Sequence, residues 1–413
     1  MDAIGKRNNL KTTIRLPFVL LLISITSIFD WSSLRFSIFN NTTLLWGVYA
    51  LTLFIIFKNK VKDYKVLPIK LFLIWVIASA IHGILMSRGY WDYKLLLRNL
   101  MTFLLPISVY VFISPQQVYN VLSYWFKYAI IIFIALTPIM YSDAYANFLQ
   151  PFIIPALFFS LLNKKWKIIT IVALVITIVM GFASRSCIIR LSAAFIIGYL
   201  CRTFFIRKHL IKILITTWVL PFIFFSLAAF NVFNIFEIDK EWQLSNKWNL
   251  KTEKTATNDV LLEDTRTPLY KEVIYSAIAE DYWLLGHSLA RGYKTIMFKR
   301  SLDKDIKEVQ SERARSEVSV LNIFTYMGVI GVVLYFIIFA YASYLAVCKS
   351  KNIYIPILGM FISFRWIFGW IEDFTSFHFT YILLWIMMAM CFSPSFRQMT
   401  NNEFVTWIKR LFK

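Results

Sequence analysis

Histidine and cysteine are scarce in this chain, four of each among 413 residues, and that scarcity narrows the chemistry. Cys187, Cys201, Cys348 and Cys391 all fall in or beside apolar runs, and the polar stretch 231–316 holds none, so no disulfide staples that stretch. His82, His209, His287 and His378 are scattered. With no HExxH and no paired CxxC, no metal site is expected. GxGxxG, GxxxxGK[ST] and the GxSxG elbow are also absent. Asp303 and Asp305 have DxD spacing, but they stand in a run of alternating charge that reads as a solvated surface. Carboxylates are half as frequent as cations, 23 against 44, and the formal charge is +21.

What is abundant is apolar. Hydrophobic residues make up 59% of the chain and mean hydropathy is +0.63, more than a soluble domain of this length could cover with its charged residues. Runs near membrane-spanning length recur, and spans in lipid must be helical because each backbone polar group needs an internal partner. The expectation is an all-α polytopic membrane protein of about twelve transmembrane helices with one large outer, periplasmic loop containing short helices. The spans are placed at 16–30, 41–57, 66–86, 95–113, 118–139, 147–162, 168–183, 187–206, 209–230, 318–346, 353–370 and 378–393. Pro221 is expected to kink the ninth. Residues 1–230 then form a membrane domain of nine spans, 231–316 the loop, 317–393 three further spans, and 394–413 a basic cytoplasmic tail. No cleavable signal peptide is evident.

Charge orients this plan. The N-terminus carries Lys6, Arg7, Lys11 and Arg15, and alternate connections read KNKVKDYK, SPQQ, NKKWK, IRKH and CKSKN. With both termini cytoplasmic, nearly every inner loop is basic. Residues 231–316 hold fourteen basic and fourteen acidic side chains, so the whole positive excess lies elsewhere. A nucleic-acid partner is not expected, because no basic domain is present to track phosphates. Within the loop, 265–285 reads as an amphipathic helix along the membrane surface, with Thr267 as cap, Pro268 at its first position and Gly286 ending it. Residues 298–315 read as a polar helix.

Arginine recurs where it is costly. Arg98, Arg185, Arg190, Arg202 and Arg365 fall in or at the ends of spans, where a charge usually faces a cavity or a partner. Each has an ordinary explanation beside that one. Arg202 can snorkel to the cytoplasmic surface, Arg190 can snorkel outward or pair internally, and Arg98 can anchor its span at the outer surface. Arg365 can pair with Glu372 two turns along one helix face. Arg185 is placed in the outer turn of GFASRS. Guanidinium forks gathered on the outer face suit phosphate oxygens, and a lipid-linked diphosphate is the anion held at that depth. Glu317, in RARSEVSVLNIFTYMGVIG, begins the span after the loop. It reads either as part of a helix start capped by Ser316, or as a base with Arg313 one turn away to orient it. These residue types permit glycosyl transfer and do not prove it.

Three stretches carry a family resemblance. GFASRS resembles a Ser-Arg turn between two spans. TRTPLYKEVIYSAIAEDYWLLGHSLARGYK resembles an Arg…Gly-x-Gly loop pattern, with Arg266 at its start. SEVSVLNIFTYMGVIG resembles a closing segment that ends Gly-hydrophobic-hydrophobic-Gly, at Gly328 and Gly331. In this order they resemble the Wzy-like O-antigen and capsular polysaccharide polymerases, and more distantly the O-antigen ligases. The resemblance implies an inverting glycosyltransferase at the outer face of a bacterial inner membrane. Its substrate would be polyprenyl-diphosphate-linked glycan, with no cofactor and no metal. A chain-length regulator and a flippase of the same pathway would be partners. Glu317 would be the catalytic base, and Arg185, Arg266, Arg98, Arg291, Arg313 and His287 would bind diphosphate or glycan. There are two departures. Ligases have a histidine in the closing segment where this chain has Glu317, which favours a polymerase and argues against a histidine base. The second loop glycine is displaced to Gly292, which weakens the place of Arg291. An O-antigen ligase and a lipid-linked oligosaccharide flippase or transporter are the alternatives.

Overall fold

A computed structural model describes residues 16–26, 28, 32–33, 42–61, 64–180, 185–229, 266–295 and 312–413. The described residues are mostly helical, as the apolar composition leads one to expect. The main elements are α1 Leu16–Thr26, α2 Thr42–Lys58, α3 Leu67–Met86, α4 Tyr90–Phe103, α5 Pro115–Leu136, α6 Lys164–Met180, α7 Arg185–Leu200 and α8 Phe204–Ala229. They continue with α9 Arg266–Ala279, α10 Ser319–Cys348, α11 Ile355–Phe368, α12 Phe379–Phe392 and α13 Asn401–Leu411. A two-residue ribbon pairs β1 Tyr293–Lys294 antiparallel with β2 Glu312–Arg313.

Among the described residues, five helical stretches are long and apolar enough to cross a membrane: Leu67–Met86, Tyr90–Phe112, Pro115–Ile139, Phe204–Leu227 and Ser319–Cys348. Twelve were expected. The outward faces of these helices carry large apolar side chains, among them Leu85, Ile131, Ile134 and Ile211, the pattern of helices that face lipid. The run 147–162 is not one helix. Pro151 and Pro155 divide it into 3-10 turns and the short helices Ser142–Phe148 and Ile153–Leu157, since proline removes an amide and its ring clashes with the preceding turn. Pro221, in contrast, sits inside α8 without ending it.

The centre of the fold is α12, in which every residue except Thr380 is buried, packed against α10 and α11. A helix apolar on all sides is buried on all sides. The C-terminal segment expected as a plain basic tail contains α13. Thr400 and Glu403 form a capping box at its start, and Phe404, Ile408 and Leu411 bury one stripe. T-x-x-E followed by apolar residues at helical spacing is a helix-start signal in the sequence itself.

Two features of the loop region differ from expectation. Helix α9 begins at Arg266, ahead of the expected cap at Thr267, and ends at Ala279, and its Leu269, Val273 and Ala277 are buried. Leu269 and Val273 pack on Tyr293, Val318 and Leu321. Most of the expected polar helix 298–315 lies outside the described residues. Its end is strand, not helix, because Glu312–Arg313 pair with the ribbon.

Helix α10 contains a break. Gly328 sits at φ +65° and ψ −169°, inside a run that is otherwise helical. The loop at 283–287 supplies what the broken ladder loses. The amides of Val329 and Ile330 donate to the carbonyls of Trp283 and Leu284 at 3.0 and 3.4 Å, and the His287 amide donates to the Thr325 carbonyl at 2.7 Å. The Met327 carbonyl accepts from the indole of Trp75 at 3.0 Å. Irregular backbone inside an apolar helix survives only where its polar groups are met in this way.

Candidate functional site

The connection between α11 and α12, residues 369–378, is the strap on which the site is built. Helix α10 starts at Ser319 and has no capping side chain. Its first amides are met by the strap instead: Ser319 N donates to the Glu372 carbonyl at 3.4 Å, and Val320 N to the Gly369 carbonyl at 3.1 Å. The expected cap, Ser316, is bonded to Val318 and Asn322. Glu317 therefore precedes the helix and has no share in capping it.

Three consecutive strap residues handle three arginines. Arg266 donates Nε to the Ile371 carbonyl at 3.0 Å, Nη2 to Glu372 at 3.2 Å and Nη1 to Glu317. Arg313 reaches the other oxygen of Glu317 at 3.4 Å. Arg315 donates to Asp373 at 2.5 Å and to the Thr375 carbonyl and hydroxyl at 2.8 and 3.0 Å. Phe374 covers Arg365, whose guanidinium lies 4.2 Å from the ring centroid. The expected Arg365–Glu372 pair does not form. Helix α11 ends at Phe368, so the two-turn register is lost and Glu372 turns to Arg266.

The two strap carboxyls titrate in opposite senses. Burial pushes the Glu372 carboxyl above its ordinary value, against the pull of Arg266 and Arg190. Burial also opposes charge on Asp373, but Arg315 and Thr375 outweigh it and hold that carboxyl low. A raised carboxyl contributes stability at low pH that is lost as pH rises through its folded value. A lowered one contributes stability that is full above about pH 3.9 and lost as pH falls through its folded value. Glu372→Gln should therefore leave stability at pH 7 nearly unchanged. Asp373→Asn should cost about 3 kcal/mol there, because Arg315 is left buried without its anion, and the deficit should shrink as pH falls through the lowered value of that carboxyl. Thermal melts of both variants against pH check this, and equal losses at pH 7 would overturn it.

A cleft of about 550 Å³ opens beside the strap. Its walls come from α2 (Trp46, Tyr49), α4 (Trp91, Asp92, Lys94, Arg98, Thr102), the ribbon (Gly292, Glu312, Ala314) and the strap (Ser376, Phe377, His378). Tyr49 and Phe377 stack at 4.2 Å and make one continuous aromatic surface. Lys94 lies 4.8 Å over Trp91. Strand alternation sorts the 312–314 segment: Glu312 and Ala314 face the cleft, while Arg313 points to the Glu317 side. Glycine is required at 292, where a Cβ would stand 2.2 Å from the Arg313 carbonyl oxygen.

The structure thus divides the residues expected to form one site. Arg98 lines the cleft. Glu317, Arg266 and Arg313 form a charge cluster behind the ribbon, and Glu317 does not line this cleft. Arg291 is held by both oxygens of Glu312 at the cleft edge. Arg185 is exposed at the first turn of α7, and the arginine of that helix turned inward is Arg190. His287 is buried, stacked on Tyr282 at 4.5 Å, with Nδ1 2.7 Å from the Gly292 carbonyl and Nε2 3.7 Å from Glu280.

The expectation of no metal constellation needs one amendment. The ligand atoms of Glu280, His287 and Glu312 lie within 4.8 Å of one another, a spacing that could hold a metal ion. Lys294 and Arg291 already engage the two carboxylates, so a divalent cation would have to compete with both. The residues that sequence reasoning missed are His378, Asp373, Glu312 and the aromatic walls. The signal for the first two was the run EDFTSFH between two apolar spans, where ionisable residues have no lipid-facing use.

Compared with family models, with curated proteins and with solved structures, the chain matches none.

Proposed function

We propose that the chain is a membrane glycosyltransferase that polymerises polyprenyl-diphosphate-linked oligosaccharide repeats at the outer face of a bacterial inner membrane. The observation that carries this reading is the cleft. Aromatic faces of Trp46, Tyr49, Trp91 and Phe377 beside Asp92, Lys94 and Arg98 are the mixture that sugar rings require: flat apolar surface for C–H faces, and charged groups for hydroxyls.

In this reading a hydroxyl oxygen of the acceptor glycan attacks the anomeric carbon of the donor. The bond to the diphosphate breaks with inversion, and the diphosphate leaves on its lipid. The hydroxyl proton passes to a base in the cleft, and we assign that base to His378. An imidazole near neutral pH is a common general base, but it must reach the proton. Both oxygens of Glu317 face guanidiniums, and so do both of Glu312, so a hydroxyl would have to displace an arginine from either. Glu317 then serves to hold Arg266 and Arg313.

The topology belongs to the same reading. Both termini are cytoplasmic and the 231–316 segment is outside, since the inner connections are basic and that segment is neutral. Reporter fusions at Asn249 and Lys351 should report outside and inside respectively, and one shared side would break the arrangement. Purified protein given lipid-linked repeats should lengthen them. Translocation without lengthening would indicate a flippase, and transfer only to a lipid A-core acceptor would indicate a ligase.

A further inference from the structure

Among the described residues, two arginines inside the helical bundle form no salt bridge to a carboxylate. Arg190 on α7 is buried, and its printed bonds stay on its own helix: Nε to the Ser186 carbonyl at 3.0 Å, and Nη2 to the Cys187 sulfur at 3.0 Å and the Ser186 hydroxyl at 3.4 Å. Arg365 on α11 is 4% exposed, and its Nη1 is fully buried with no hydrogen-bond partner. Both guanidiniums flank the Phe368 ring, at 5.9 and 5.4 Å from its centroid. The carboxylate that feels both arginines is Glu372, and it is bonded to Arg266.

Buried cations in membrane helices are rare and usually meet a backbone carbonyl, a cavity or an anion, because an uncompensated charge in a low-dielectric site is costly. Aromatic faces soften that cost and do not neutralise the charge. Two arginines on adjacent helices, aimed at one ring, offer two planar forks. A diphosphate presents two adjacent phosphoryl groups, each able to take one fork.

We propose that Arg190 and Arg365 form a binding subsite for the diphosphate headgroup of the lipid carrier, between α7 and α11. This rests on the reading of the chain as an enzyme of diphosphate-linked glycan. It moves the diphosphate contact away from Arg185 and Arg266, the first exposed and the second fully engaged by the protein. The strap then joins the two halves of the substrate: Phe374 covers Arg365, and three residues on, Phe377 and His378 line the sugar cleft.

The test uses the full chain in neutral phosphatidylcholine nanodiscs, with polyprenyl diphosphate, phosphatidylglycerol and inorganic pyrophosphate as separate probes. Binding is read by native mass spectrometry and by thermal shift. Wild type should bind polyprenyl diphosphate, with inorganic pyrophosphate competing, and should melt about 5 °C or more higher at saturating lipid. Arg190→Ala and Arg365→Met should each weaken binding about tenfold or more, and Arg365→Lys should fall between. Arg365→Met should also melt higher than wild type without lipid, since it removes an uncompensated charge, and that separates lost binding from lost folding. Undiminished affinity in Arg365→Met overturns the subsite. Equal affinity for phosphatidylglycerol overturns the diphosphate assignment in favour of a bulk-lipid anchor. Binding that depends on both arginines in a protein that lengthens no glycan would leave the subsite standing and sink the polymerase reading.

Discussion

Glutamine in place of His378 should lower glycan transfer by about 10²–10⁴-fold, the usual cost of removing a general base. Glu317→Gln should lose less than about tenfold, through a slackened hold on Arg266 and Arg313. The reasoning is positional. His378 is on the cleft wall, on a strap fixed at both ends by helices and tied to α10 through Ser319. Glu317 faces two guanidiniums behind the ribbon. The measurement is chain extension from purified lipid-linked repeats, at matched membrane levels of each variant. The pH profile should separate a base from a prop, because removing the base flattens the limb on which its deprotonation appears and removing a prop does not. Wild-type chain lengths from His378→Gln, together with collapse in Glu317→Gln, would falsify the assignment and return the role to Glu317.

Alanine at Gly328 should be among the most damaging single changes in the protein, costing more than about 4 kcal/mol. Two penalties add. The backbone there is at φ +65°, which an L side chain rarely adopts, and a Cβ would stand 2.1 Å from the Leu284 carbonyl oxygen. Gly286→Ala should behave alike, since Gly286 is at φ +85° and its Cβ would meet the Met327 amide at 2.4 Å. The two glycines let two backbones cross at contact distance, and the hydrogen bonds that repair the break in α10 depend on that approach. Gly47→Ala is a gentler control, because a Cβ there would meet nothing within 4 Å. Detergent-solubilised yield and thermal melting check the ranking. Equal stability of Gly328→Ala and wild type would show that the crossing is dispensable.

The sequence by itself determined the class of this protein, most helix positions and the charge asymmetry. These depend on local pattern: apolar runs of spanning length, punctuated by basic connections, have few other physical solutions. It also marked Arg98, as a charge in a span, and Gly286, as the end of a helix, while Gly328 stood out through the resemblance of its segment. Only the tertiary structure decided what faces what. By sequence Glu317, Arg266 and Arg313 belong to one expected site with Arg185, yet the 312–314 segment turns Glu312 toward the cleft and Arg313 away from it. That choice depends on strand register, which a helical reading of 298–315 cannot contain. Arg365 and Glu372 lie seven apart in sequence and would share a helix face, but α11 stops at Phe368 and the partner becomes an arginine 106 residues away in sequence. His378 and the aromatic walls come from α2, α4 and the strap, segments far apart in the chain, and no local spacing announces that they meet. A pairing set by distant packing carries no periodic signature, so its residues become legible only once the helices are placed.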